Sequence, residues 1–158
     1  MFNLSKLRER RAAGEHGFTL IELLVVVVIM GILIAIAIPV YLNYKKGASD
    51  KSAQSDLRNA INVLEQCNTD NSSYPTAVSA SGALTGCTGQ SIKGSDGTTF
   101  SYIPGTATTP TKYDLFAYNT NGTGSTTKYF CYASATGGSI ATKTLAMPTV
   151  YSDTCPAS

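Results

Sequence analysis

The chain has 158 residues, with 12 basic and 10 acidic side chains and a net charge of +2. This near balance excludes bulk charge as a driver of non-specific nucleic-acid binding. The single histidine is His16, so the rest of the chain lacks the commonest general base and the commonest metal ligand. No phosphate-binding motif of the type GxxxxGK[ST] occurs. We therefore expect no enzymatic activity, no cofactor and no metal site.

A basic, polar leader of residues 1–17 precedes an unbroken apolar run from Leu23 to Val40. The segment from Phe18 to Val40 has 23 residues, and about 20 helical residues suffice to span a bilayer. The leader is also richer in lysine and arginine than the segment that follows the run. Because cytoplasmic flanks carry the basic excess, we predict a membrane helix over residues 18–42, with its N-terminus inside and the remaining chain outside.

One acid, Glu22, stands at the head of this apolar segment. A carboxylate near the centre of a membrane helix costs roughly 2.5–3.5 kcal/mol on insertion scales, and less near an interface, so Glu22 needs a partner. A cut after Gly17 would supply the free amine of Phe18. An ordinary secretory signal is cut after its apolar stretch, whereas this cut would leave the apolar stretch on the product. Since the leader holds four of the 12 basic and two of the 10 acidic side chains, the product has 8 of each.

The sequence GFTLIE at residues 17–22, followed by the apolar run, resembles the N-terminal motif of the type IV pilin superfamily, which includes type II secretion pseudopilins and competence pilins. Gly31 and Pro39 fall where such pilins carry a helix-weakening glycine and proline. The resemblance covers roughly residues 14–42. A signal-anchor helix of an unrelated single-pass protein is the alternative, but a bare anchor does not require an acid at position 22.

This resemblance implies how the chain is processed and assembled. A prepilin peptidase would cut between Gly17 and Phe18 and N-methylate Phe18, and Glu22 would neutralise the Phe18 amine of a neighbouring subunit in a helical homopolymer. An inner-membrane assembly platform and an assembly ATPase are further implied partners. The segment between Gly31 and Pro39 can bend or melt, because both residues weaken a helix, and the resemblance favours melting on assembly.

Helical periodicity continues beyond the apolar run in amphipathic form, over residues 43–70. One apolar stripe recurs at helical spacing and comprises Ala53, Leu57, Ala60, Ile61, Leu64 and Cys67. The pattern therefore predicts one long helix from Phe18 to about Thr69. At 1.5 Å per residue it would be on the order of 75 to 80 Å long.

The remaining chain predicts a small β-rich head. Residues 71–97 are rich in Ser, Gly, Thr and Ala, which is typical of a loop that connects helix and sheet. Within residues 98–158, runs rich in Tyr, Phe and Thr predict three strands and a weaker fourth, over Thr98–Ile103, Lys112–Asn119, Lys128–Ser134 and Ile140–Leu145. We predict an α+β fold in which an antiparallel sheet of three to four strands packs on the amphipathic half of the long helix.

Four cysteines lie in the part of the chain that we place outside the membrane, so we expect them to be oxidised. They permit three pairings, and a disulfide typically contributes 2–4 kcal/mol. We favour Cys67 with Cys87, which ties the helix end to the connecting loop, and Cys131 with Cys155, which pins the C-terminal tail to a strand. The CxxC pairs of structural zinc sites are absent.

The hypothesis of function is a major pilin of a surface filament that serves adhesion or twitching motility. The precursor would sit in the cytoplasmic membrane before it joins an extracellular fibre. The alternative is a pseudopilin of type II secretion or of competence, and only the competence role gives nucleic acid as a partner. A membrane-tethered binding protein that never polymerises is a remote alternative. A basic cluster, Lys45, Lys46, Lys51 and Arg58, is expected to be solvated or to face a neighbouring subunit.

Overall fold

The computed structural model describes residues 17–79, 82–108, 110–123, 128–137, 140–143, 148–152 and 154–155. Most of the predicted leader, residues 1–16, therefore lies outside the described residues. The chain divides into two compact units, Met1–Tyr41 and Leu42–Ser158. Helix α1, Leu20–Asn71, is 52 residues long and contributes to both. The predicted division of the chain at residues 17, 42, 70 and 97 stays a prediction.

In the second unit, α1 presents one apolar stripe to the core. Ala53, Leu57 and Leu64 are fully buried, as expected for residues at helical spacing on the covered side of an amphipathic helix. The helix ends where Ser72 adopts a left-handed conformation with φ of 56°. The Asn71 side chain donates to the Cys67 carbonyl oxygen at 3.0 Å, which satisfies one of the carbonyl groups left open at a helix C-terminus.

Two antiparallel sheets accompany the helix in the described part of this unit. A small sheet pairs β1, Ala77–Val78, with β2, Leu84–Thr85. The larger sheet is a meander in the order β3-β4-β5-β6. Its strands are β3 (Thr98–Pro104), β4 (Tyr113–Asn119), β5 (Tyr129–Ala133) and β6 (Ala141–Lys143). The predicted α+β fold with an antiparallel sheet of up to four strands is confirmed.

The segment over residues 71–97 differs from its prediction as a plain loop, because it contains β1 and β2. Each has two residues, too few for the alternation that reveals strands in a sequence. Gly82 allows the return of the chain, since it has φ of 84° and a Cβ there would collide with the Ile92 carbonyl oxygen. The segment also contributes Leu84 and Ile92 to the core. The predicted fourth strand, Ile140–Leu145, is described as β6 over Ala141–Lys143, and positions 144 and 145 lie outside the described residues.

The larger sheet is covered on both faces. One face packs with the α1 stripe and includes Tyr113, Leu115 and Phe130. The other face holds a second cluster of Phe116, Tyr129 and Cys131. Strand β4 is therefore buried from Tyr113 to Ala117, which explains why its sequence is apolar or aromatic at nearly every position rather than alternating cleanly.

Two disulfides connect these elements. Cys67, near the end of α1, pairs with Cys87, and Cys131 of β5 pairs with Cys155. This is the pairing that we favoured from the sequence among the three possible ones. The first disulfide closes a loop around β1 and β2 against the helix, and the second holds the C-terminal segment on the outer face of the sheet.

A half-buried carboxylate on α1, Glu65, connects helix and sheet through tyrosines. The hydroxyl of Tyr74 donates to Oε2 at 2.8 Å and that of Tyr113 donates to Oε1 at 2.9 Å. The rings of these two tyrosines lie 4.8 Å apart between centroids. Burial, followed by the bond to Glu65, raises the pKa of Tyr113 above its ordinary value. Both tyrosines therefore stay protonated donors and satisfy a carboxylate that has no cationic partner in the described structure.

Two further acids on α1 hold loops of the head. Asp50 accepts from the backbone N–H of Thr123 at 3.1 Å, from its hydroxyl, and from Lys128 Nζ at 2.9 Å. Burial raises the pKa of Asp50, but these hydrogen bonds and the Lys128 charge outweigh it, so the pKa lies below its ordinary value of 3.8. Asp56 accepts from the N–H and the hydroxyl of Ser95, at 2.8 and 3.0 Å.

We expect the Asp50 contacts to make stability depend on acidic pH. Because the folded-state pKa is lowered, the carboxylate stabilises the fold above about pH 4 and loses this contribution as the pH falls through the folded-state pKa. The melting temperature of the full chain in detergent should therefore fall between about pH 5 and pH 2, and less steeply for Asp50→Asn. Asp96→Asn, an exposed acid, is the matched control, and equal slopes for wild type and Asp50→Asn would contradict this prediction.

Removing one donor from Glu65 should destabilise the head. Tyr113→Phe keeps the ring but leaves the half-buried carboxylate with Tyr74 alone, and an unsatisfied buried group costs about 1–3 kcal/mol. Denaturant unfolding followed by circular dichroism measures this loss. Tyr118→Phe is the control, because the Tyr118 hydroxyl has no hydrogen bond within the described residues. A loss for Tyr113→Phe no larger than for the control would show that the Glu65 contacts contribute nothing.

Candidate functional site

The candidate site is the start of the apolar helix. Gly17, Phe18 and Thr19 precede α1 and are exposed, and the Phe18 side chain is 86% accessible. The peptide bond between Gly17 and Phe18 is thus in non-helical, accessible chain, which is the form a peptidase requires. The predicted cleavage and N-methylation of Phe18 stay predictions.

Glu22 has a local role that the sequence interpretation missed. Its carboxylate Oε2 accepts from the Thr19 N–H at 3.0 Å and from the Thr19 hydroxyl at 2.9 Å. In return, the Glu22 N–H donates to Thr19 Oγ1 at 3.3 Å. This is a capping box, in which a residue before the helix and a Glu three positions later satisfy each other's backbone donors. The Thr-x-x-Glu spacing was the signal that could have revealed it.

The capping box fixes Glu22 where a carboxylate is favourable, since the N-terminus of a helix carries partial positive charge. Both hydrogen bonds go to Oε2, and no bond to Oε1 occurs within the described residues. The second oxygen is therefore available to a cationic group from outside the chain. The proposed amine of Phe18 on a neighbouring copy is one such group.

The helix after Glu22 exposes apolar side chains on all sides. Every large hydrophobic residue from Leu23 to Leu42 is accessible over about half or more of its surface, and the least accessible is Val25 at 47%. An 18-residue window of this helix has a mean hydropathy of 3.2, so by length and composition α1 is able to cross a membrane. Contiguous apolar surface of this size requires lipid or other protein.

Gly31 and Pro39 both lie inside α1, which is helical throughout in this structure. A side chain at Gly31 would meet no atom within 4 Å, so packing within the chain does not require glycine there. Pro39 has no N–H, so the Ala35 carbonyl lacks its usual partner. Local melting between these residues on assembly stays a prediction.

The other residues that the sequence analysis singled out lie in the second unit. All four cysteines are in disulfides, and the residues described include no cluster of three or more His, Cys, Asp or Glu side chains able to hold a metal. The basic cluster on α1 is exposed at all four positions, Lys45, Lys46, Lys51 and Arg58.

Known proteins share the N-terminal segment of this chain. The prokaryotic N-terminal methylation motif matches residues 13–38. The type II secretion system core protein G of Dickeya chrysanthemi is 40% identical over 76 residues, which are 48% of each chain. The core protein G of Vibrio cholerae is 43% identical over 67 residues, covering 42% of this chain and 46% of the relative.

A pilus protein is also similar. The type IV wide pilus major component PilA4 of Thermus thermophilus is 43% identical over 61 residues, covering 39% of this chain and 47% of the relative. The chain spans about half the length of the curated relatives it matches. No solved structure matches it significantly.

The methylation motif coincides with the exposed Gly17–Phe18 bond, the capped Glu22 and the apolar start of α1, and the fold beyond it is a long helix with a disulfide-linked antiparallel sheet. Over its N-terminal part, this chain is similar to type IV pilins and type II secretion pseudopilins.

Proposed function

We propose that this chain is a non-enzymatic structural subunit of a pilin-like filament. It is made as a membrane-held precursor, is cut after Gly17, and polymerises through the helix over residues 18–42. The observation that carries this proposal is the apolar surface of α1, exposed on all sides directly after the accessible Gly17–Phe18 bond of the methylation motif. A prepilin peptidase, an assembly platform and an assembly ATPase are the partners that the family resemblance implies.

An ion pair between subunits would help to direct this assembly. Burial of a large apolar side chain from water contributes about 1.5–3 kcal/mol, but lipid tails are as apolar as leucine, so moving α1 from lipid into a bundle of helices gains little from burial. Packing and polar contacts must then direct association. An ion pair between Glu22 and the Phe18 amine of a neighbouring copy is attractive because charges interact more strongly at low dielectric.

Within this class we propose a type II secretion pseudopilin first. The similarity to core protein G proteins from several bacteria supports this order, which reverses the one that we gave from the sequence. A major pilin of a surface fibre is the second candidate. The similarity to PilA4 and the two disulfides of the head favour it, because disulfides suit a small domain exposed outside the cell.

The charge of Glu22 should matter for polymerisation rather than for export or cleavage. Glu22→Ala and Glu22→Val remove both the charge and the capping box, whereas Glu22→Gln keeps a side-chain oxygen for the Thr19 N–H. We expect all three variants to be exported and cleaved largely as wild type, with filament yield reduced about tenfold or more, since a lost buried ion pair exceeds 1.4 kcal/mol. Yield is measured from sheared fibres by immunoblot.

Glu22→Gln separates the two roles of this residue. A wild-type filament yield for Glu22→Gln, with a low yield for Glu22→Ala, would assign the effect to helix capping and contradict the charge pair. A normal yield for Glu22→Ala would contradict both.

Fibres and their first residue discriminate the candidate functions. Electron microscopy of sheared fibres with mass spectrometry should find subunits that begin at methylated Phe18. Short fibres seen only on overexpression support the pseudopilin, and long fibres at natural expression support the pilus. A protein that still begins at Met1, or that remains monomeric under all conditions, would contradict the filament proposal.

A further inference from the structure

Acidic and basic side chains occupy different places in the second unit. Asp50, Asp56 and Glu65 on α1 are buried or half-buried and bound to donors of the same chain. The cations on the same helix are exposed. Within the described residues, the one ion pair found joins Lys128 and Asp50 at 2.9 Å. The chain has nearly equal numbers of basic and acidic side chains. In this unit, however, the charged groups that stay accessible on the surface of α1 are mostly positive.

Two of these cations define an outer face of α1. Lys51 and Arg58 are seven residues apart, which places them two turns apart on nearly the same side of the helix. Both are exposed, and Ala53 and Leu57, on the opposite side, are fully buried. The stretch over residues 43–64 contains Asp50 and Asp56 as its acids, and both are buried. Within this stretch the outer face therefore has no carboxylate to neutralise its cations, and Glu65, seven residues beyond Arg58, is bound to two tyrosine hydroxyls.

Farther along the same helix, Asp70 is an exposed carboxylate held in a fixed orientation. Its Oδ1 accepts from Gln66 Nε2 at 2.8 Å and its Oδ2 accepts from Gln90 Nε2 at 2.8 Å. Each carboxylate oxygen has a further lone pair, so the group can still bind a cation. Twelve residues separate Asp70 from Arg58, about 18 Å along a helix, and Lys51 is about 28 Å away. Asp70 therefore cannot form an ion pair with Arg58 or Lys51 of its own chain.

We propose, on the basis of the proposed filament, that the outer face with Lys51 and Arg58 docks on Asp70 of a second copy of this chain. The helices would lie side by side, with one copy displaced along the helix axis by about 18 to 28 Å. The planar guanidinium of Arg58 suits a carboxylate, since it can donate two parallel hydrogen bonds. Without such a partner, the outer faces of adjacent copies would repel each other.

The contact joins two different surfaces, because the cationic patch and Asp70 are separate positions on the same helix. Contacts of this heterologous kind repeat from copy to copy and give open helical filaments unless the rotation closes a ring. Charge placement on α1 thus favours the same kind of polymer that we propose for the apolar segment. An anionic lipid surface or polyanion would engage the same cations but would leave Asp70 without a role.

Charge reversal and its rescue test this contact in cells that assemble the wild-type chain. Arg58→Glu and Asp70→Arg should each reduce fibre yield about tenfold, because they place like charges together. The combination Arg58→Glu with Asp70→Arg restores the pair in reverse and should recover yield to within about threefold of wild type. Non-reducing gels must show both disulfides formed in every variant, so that yield reports assembly rather than folding.

Two variants serve as matched controls. Lys93→Glu reverses an exposed cation outside α1 and should leave yield unchanged. Arg58→Glu with Asp96→Arg has the same net charge as the rescue pair, but Asp96 is an exposed acid off the helix, so it should not restore yield.

The outcomes separate this inference from the filament proposal. Wild-type fibres with a normal yield for Arg58→Glu would overturn the inference and leave the filament intact. The inference would also be overturned if Asp70→Arg failed to restore the fibre yield of Arg58→Glu. That result is expected if lipid or a polyanion binds the cations. Absence of wild-type fibres under all conditions would overturn both proposals.

Discussion

The constraint on which this protein depends is an apolar helical surface that cannot remain in water. From Leu23 to Leu42 the side chains of α1 are exposed on every side, and a soluble protein rarely leaves such a surface uncovered. Lipid can cover it, and so can other copies of the same helix, but the two environments are similarly apolar. The choice between them must therefore come from packing and from the few polar groups near the apolar surface, first of all Glu22.

The capping box gives Glu22 a use before any partner arrives. In the isolated chain its Oε2 completes the first turn of α1 through Thr19, so the carboxylate is oriented without an intermolecular contact. A neighbouring amine would then meet a carboxylate that has already lost most of its side-chain freedom. Ordering a long side chain costs up to about 1.5–2 kcal/mol, and the capping box lowers the part of this cost that falls on assembly.

Sequence periodicity predicted the helix, the buried stripe from Ala53 to Cys67 and the strands of the larger sheet, because these depend on local repeats. It did not predict β1 and β2, whose two residues each show no repeat. It also missed the contact between Glu65 and Tyr113, which are 48 residues apart, since no local pattern links such positions. The capping box is different, because its spacing was visible and was interpreted only as part of a cleavage motif.

The polar contacts of the head explain how a chain with balanced charge can still present a directional surface. Each of Asp50, Asp56 and Glu65 fixes a loop or strand to α1, and each is thereby withdrawn from contact with other molecules. Lys51 and Arg58 make no such contact with the described part of the chain and are exposed. The acids that stabilise the fold thus leave the cations to recognise a neighbour. Asp70, exposed and held by two glutamines, is a carboxylate in the second unit that remains able to receive them.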